Sequence, residues 1–172
     1  SIISFNLIDN QKINEIKKAH DIYITSFSHF LDKQNKRDLI ISISSKDNNI
    51  KLWNVENWEA LHNFQNINHS GELYDSCFLS DKDMIFIITS NSDLFSTEPL
   101  KIFDFKGKEI KEINDSNLNT FFIDTFYNKN SDKIFIITGN FGFIQSYDYN
   151  KNKVYNKYKE ENNIFNKKEY IH

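Results

Sequence analysis

Asp83-Met84-Ile85-Phe86-Ile87-Ile88-Thr89-Ser90-Asn91 and Asp132-Lys133-Ile134-Phe135-Ile136-Ile137-Thr138-Gly139-Asn140 are two copies of one phrase, 49 residues apart. A looser copy, Asp38-Leu39-Ile40-Ile41-Ser42-Ile43-Ser44-Ser45, precedes them. Each is a short apolar run rich in β-branched residues, which predicts a strand covered on both faces. A repeat of roughly 40–50 residues marks stacked supersecondary units, each burying its faces against its neighbours.

Two further echoes keep the same order. Trp53-Asn54-Val55, Phe103-Asp104-Phe105 and Tyr147-Asp148-Tyr149 follow the apolar runs, and Phe5-Asn6-Leu7 supplies an earlier copy. All read aromatic, Asn or Asp, apolar. A polar turn comes next, as in Asp9-Asn10-Gln11 or Lys106-Gly107-Lys108, and then an amphipathic stretch, which together predict a hairpin. Before the apolar runs stand aromatic pairs four apart: Tyr23 and Phe27, Tyr74 and Phe78, Phe122 and Phe126. That even spacing predicts both rings of a pair on one face of a strand. Tyr170 opens what reads as one more copy.

Four strands in under 50 residues, with no helical periodicity, is the blade of a β-propeller. The expected fold class is therefore all-β: a propeller segment of four-stranded antiparallel blades, three complete and two partial. The expected units are 1–18 (last two strands of a preceding blade), 19–66, 67–114, 115–159, and 160–172 (first strand of a following blade). A sandwich or barrel of short strands is the competing architecture, and three echoes in one order at nearly one period favour the propeller.

Composition is that of a folded chain: 39% hydrophobic, 15% aromatic and 26% charged over 172 residues. A net charge of −3 argues against a general nucleic-acid binder, which needs a basic surface to displace counterions. The Asn- and Lys-rich usage reads as a codon bias toward A and T, so the Asn runs are not taken as prion-like. Cys77, the single cysteine, excludes an intrachain disulfide and reads as a buried structural thiol. With no signal-peptide pattern, no apolar run of membrane-spanning length, and Ser1 where an initiator Met would stand, the sequence reads as a segment of an intracellular, cytoplasmic protein.

The stretch Ser45-Lys46-Asp47-Asn48-Asn49-Ile50-Lys51-Leu52-Trp53-Asn54-Val55 resembles the ending of a WD repeat, with Asn54 in place of the final Asp. Ala19-His20 resembles the Gly-His that opens repeats of that family. The resemblance implies a hydrogen-bonded chain of His20, Ser45, Asp47 and Trp53 bracing the blade, with Ser44 an alternative hydroxyl. The next unit keeps Asn68-His69 and Asp93 but has Phe103 for Trp and an insertion around Leu94–Pro99; the third keeps only Tyr147-Asp148. The bracing chain is thus complete in one unit, partial in another and absent in the third.

No catalytic constellation is legible. His20, His29, His62, His69 and His172 make no metal-ligand spacing, and four glycines at 71, 107, 139 and 142 make no phosphate loop. Gly139 and Gly142 are expected to permit a tight turn between strands. The carboxylate pairs Asp81/Asp83 and Glu160/Glu161 sit in polar, Lys-flanked loops and read as solvated turns. Lys151 to Lys157, with Tyr155 and Tyr158 interleaved, reads as an outer strand with one wet face, not a nucleic-acid contact.

The expected role is a non-catalytic scaffold binding a protein or peptide on its loops, with no cofactor, metal, membrane or nucleic-acid partner; the loops Leu31–Arg37 and Leu94–Glu98 are the candidate contacts. The alternative is a propeller region of a larger enzyme such as a kinase, or a catalytic propeller whose ligands converge from several blades. An open arc of blades is also expected either to be completed by more chain or, if isolated, to associate with itself through its uncovered sheet faces.

Overall fold

The computed structural model describes residues 1–45, 49–64, 71–82, 84–92, 99–114, 120–140 and 142–159, with the side chains of residues 91 and 92 left aside. Every element among them is a strand. β1 (Ile2–Phe5) and β2 (Lys12–Ile16) form a two-stranded hairpin. Three four-stranded antiparallel sheets follow, each wound in chain order. The first holds β3 (Ser26–Asp32), β4 (Arg37–Ser44), β5 (Asn49–Asn54) and β6 (Glu59–Phe64). The second holds β7 (Glu72–Asp81), β8 (Met84–Ser92), β9 (Leu100–Phe103) and β10 (Glu109–Ile113). The third holds β11 (Thr120–Asn128), β12 (Lys133–Asn140), β13 (Phe143–Asp148) and β14 (Lys153–Lys159). The segment 160–172, expected to begin a further blade, lies outside the described residues.

Packing explains why the repeated phrase is apolar throughout. One pleat face of the first blade (Leu39, Ile41, Ile43, Ile50, Leu52) lies against Leu73, Phe78, Ile87 and Phe103 of the second. The second blade's other face (Leu79, Phe86, Ile88, Leu100, Ile102) lies against Ile123, Ile134, Ile136 and Tyr147 of the third. Ile2 and Ala19 close over Trp53 on the first blade's leading face, with Ile16 and Ile40 beside them. The second strands of the first two blades are thus sandwiched between neighbours, and burying one such Ile or Leu is worth about 1.5–3 kcal/mol.

The echo centred on Trp53, Phe103 and Tyr147 holds in three dimensions. These residues stand opposite Ile40, Ile87 and Ile136, the same rung of each blade. The Asn or Asp that follows has a local task. Asn6 accepts the N–H of Ile8, Asn54 that of Glu56, Asp104 those of Lys106 and Lys108, and Asp148 that of Lys151. A short polar side chain that bonds its own turn is what Asn and Asp supply best. Each of these turns then passes through one left-handed residue: Asn10, Trp58, Gly107 or Asn152. Trp58 is an uncommon occupant, since a bulky side chain disfavours that region, and it is packed beside the Trp53 cluster.

Other expectations need correction. Leu31–Arg37 is not a long loop: Leu31 lies in β3, Arg37 begins β4, and only four residues turn between the strands. Buried Asp32 ties that turn, accepting bonds from Asn35 and from Arg37 Nε and Nη2 at 3.0 and 2.7 Å. The insertion residues 94–98 lie outside the described residues. The aromatic pairs are not equivalent either. Tyr23 precedes β3, and a bulge between Leu73 and Asp75 separates Tyr74 from the rest of β7; Phe122 and Phe126 keep the even spacing within one strand. Gly139 is no turn residue. It sits in β12 opposite Phe122, whose Cβ would stand 3.3 Å from a side chain there. Gly142, at φ +71, does make the turn into β13.

Candidate functional site

The bracing contacts of the first blade run through Ser42. Its Oγ accepts the indole N–H of Trp53 at 2.8 Å and holds His20 Nε2, also at 2.8 Å. His20, Ser42 and Trp53 are all buried. Ser45, the hydroxyl expected from the resemblance, does not take this place, and neither does Ser44. The register gives the reason. Ser42 shares a pleat face with Ile40, which stands directly opposite Trp53, so the indole reaches Ser42 diagonally. Ser45 lies beyond the end of β4, and the Ser44 hydroxyl, on the same face but one rung further, has no hydrogen-bond partner among the described residues. Asp47, the fourth expected member, lies outside the described residues, as do His69 and Asp93.

Thr89 and Thr138 occupy the same rung in the other blades, two residues beyond Ile87 and Ile136. There the aromatic changes the chemistry. Phe103 has no N–H to donate, and the Tyr147 hydroxyl bonds Asn152 at 2.6 Å instead. The hydroxyl position repeats, while the indole contact belongs to the first blade.

The inner strands β3, β7 and β11 are joined by groups that the sequence did not single out. Asp75 accepts the Ser26 hydroxyl at 2.5 Å on one side and the Ile123 N–H at 2.8 Å on the other. One carboxylate thereby spans three consecutive blades. The Thr125 hydroxyl donates to the carbonyl of Phe78 at 2.8 Å. These bonds join residues 49, 48 and 47 apart, one repeat each. That periodicity is the signal that could have located them, since a group in one inner strand meets its counterpart one repeat away.

Where these strands meet lies a cavity of about 340 Å³, walled by Ser28, His29 and Phe30 of β3, by Cys77, Phe78 and Ser80 of β7, and by Asp124 to Tyr127 of β11. A second cavity, of about 410 Å³, adjoins it toward the turns. It shares Ser80, Tyr127 and Ile134 and adds Asp81, Lys82, Asp132 and Asn150. Tyr127 donates its hydroxyl to Asp132 at 2.7 Å, and that bond raises its pKa above the ordinary value. His29 is bonded to Asp38 at 2.5 Å. Burial pushes the Cys77 thiol well above its ordinary pKa, and the negative charges of Asp75 and Asp124 add to the effect. A neutral, buried thiol is a poor nucleophile.

Among the described residues no group of three or more His, Cys, Asp or Glu could hold a metal ion. No described helix is long and apolar enough to cross a membrane. No family model matches the chain, and no curated protein matches it in sequence.

Proposed function

We propose that this chain is a non-catalytic, WD-repeat-like propeller scaffold that binds a protein or peptide segment, inside the cell, through the concave surface where its inner strands meet. One observation carries the reading: three successive blades contribute aromatic residues (Phe30, Phe78, Phe126 and Tyr127) to the lining of a single open recess. Concave, mostly apolar surfaces with a few polar groups are where ligands bind. The single buried cysteine suits a reducing, cytoplasmic setting. The test is selection from a random peptide library on the wild-type chain and on a Phe126→Ala/Tyr127→Ala double variant. Peptides retained by the first and lost by the second support the reading; equal retention refutes it.

Association between copies is part of the same proposal. The third blade's trailing face leaves Phe122, Phe126, Ile144 and Tyr158 more than half exposed, and apolar area of this kind drives contact. Sedimentation velocity should show a concentration-dependent shift above the 20.5 kDa monomer. A monomer at every concentration would end this part of the reading.

A further inference from the structure

The recess at the inner strands is aromatic, but its charge is one-sided. Asp124 lines it, and its carboxylate accepts the N–H of Thr125 at 2.7 Å. Asp81 and Asp132 stand in the adjoining cavity with Lys82. Neither Asp124 nor Asp81 forms an ion pair among the described residues. A wall of rings beside an unneutralised carboxylate matches a long cationic side chain, whose methylenes pack on apolar surface while its head seeks charge and π faces.

We propose that the recess receives a lysine or arginine side chain of an extended peptide, its aliphatic stem against Phe126 and its cationic head at Asp124, which share one face of β11. This deepens the peptide-binding reading and rests on it. Burial is the main cause of the raised Cys77 pKa, and the carboxylates of Asp75 and Asp124 add to it, which agrees with negative charge beside the recess wall. That charge opposes acidic peptides. It opposes a nucleic-acid backbone as well, since phosphates gain affinity only where cations replace their counterions.

The experiment uses the full chain and capped pentapeptides that differ only at the central residue: Lys, Arg, norleucine or Glu. Fluorescence anisotropy should show the Lys and Arg peptides binding about tenfold or more tighter than norleucine, with Glu weakest. Asp124→Asn should cost the Lys peptide about tenfold and leave norleucine unchanged, whereas Glu56→Gln, on an outer turn of the first blade, should change neither. Amide shifts of Thr125 and Tyr127 on titration with the Lys peptide give a reading independent of any variant. Lys and norleucine within twofold of one another, or shifts confined to other regions, overturn the cationic assignment while peptide binding stands. Failure of all four peptides and of a random-sequence library overturns both.

Discussion

Removing one oxygen atom, in Ser42→Ala, tests the bracing of the first blade. The hydroxyl has two partners, Trp53 Nε1 and His20 Nε2, each at 2.8 Å. Trp53 and His20 are both 5% exposed, so water does not replace what is lost. A buried polar group left without its partner costs about 1–3 kcal/mol, so the Trp53 indole alone sets an expected loss of about 1–3 kcal/mol, to which the lost His20 contact adds. Ser42→Thr keeps the hydroxyl, as Thr89 and Thr138 do on the same rung, but adds a methyl at a fully buried site; it should cost about 1–3 kcal/mol and less than Ser42→Ala. Ser45→Ala should cost less, because it is Ser42 and not Ser45 that meets Trp53 and His20. Both tryptophans, Trp53 and Trp58, lie in this blade, so fluorescence during urea unfolding reports on it directly. A lower midpoint at unchanged slope is the expected signature. If Ser42→Ala unfolds with the wild type, or Ser45→Ala loses as much, the assignment of Ser42 is wrong.

Three further outcomes follow from the contacts described. Asp75→Ala removes the acceptor shared by Ser26 and Ile123, and should cost about 2–4 kcal/mol, with Asp75→Asn recovering part of it; equal melting of all three chains would show that the carboxylate does not join the blades. Burial would raise the Asp32 pKa, but hydrogen bonds from Arg37 and Asn35 outweigh it and hold the group below its ordinary 3.8. The stabilisation from a depressed carboxylate is fully present above the unfolded value and is lost as pH falls through the folded one, so stability should drop below about pH 4 and drop less in Asp32→Asn; parallel pH profiles would contradict this. Iodoacetamide should alkylate Cys77 slowly in the native chain and rapidly in denaturant, as mass spectrometry would record, and rapid native labelling would contradict the buried, neutral thiol.

Much of this architecture was legible without coordinates because a blade's contacts repeat with its sequence. Ile87 and Ile136 stand on one rung of their blades, and their phrases differ at only a few positions. The Asn or Asp after each strand-three aromatic could be read as a turn residue, because its bond reaches only two to four residues along the chain. Local effects of this kind are written into neighbouring residues. The rings of Tyr74 and Phe78 misled, because a single bulge at Leu73–Asp75 reverses which face a side chain takes. Leu31–Arg37 looked like a loop because Asp32, Asn35 and Arg37 are polar, yet their polarity serves a tied hairpin turn.

What the sequence alone determined is the period, the strand count of each blade, and the aromatic and hydroxyl residue types that recur. These rest on side-chain alternation and turn chemistry, which act over a few residues. Which hydroxyl meets Trp53 was settled by cross-strand register, since Ser42, Ser44 and Ser45 are alike as residues and differ only in rung and face. The span of Asp75 across three blades, and the meeting of Phe30, Phe78 and Phe126 at one recess, belong to the tertiary structure. These groups lie a full repeat apart, and only the packing of sheet on sheet sets the distance between them.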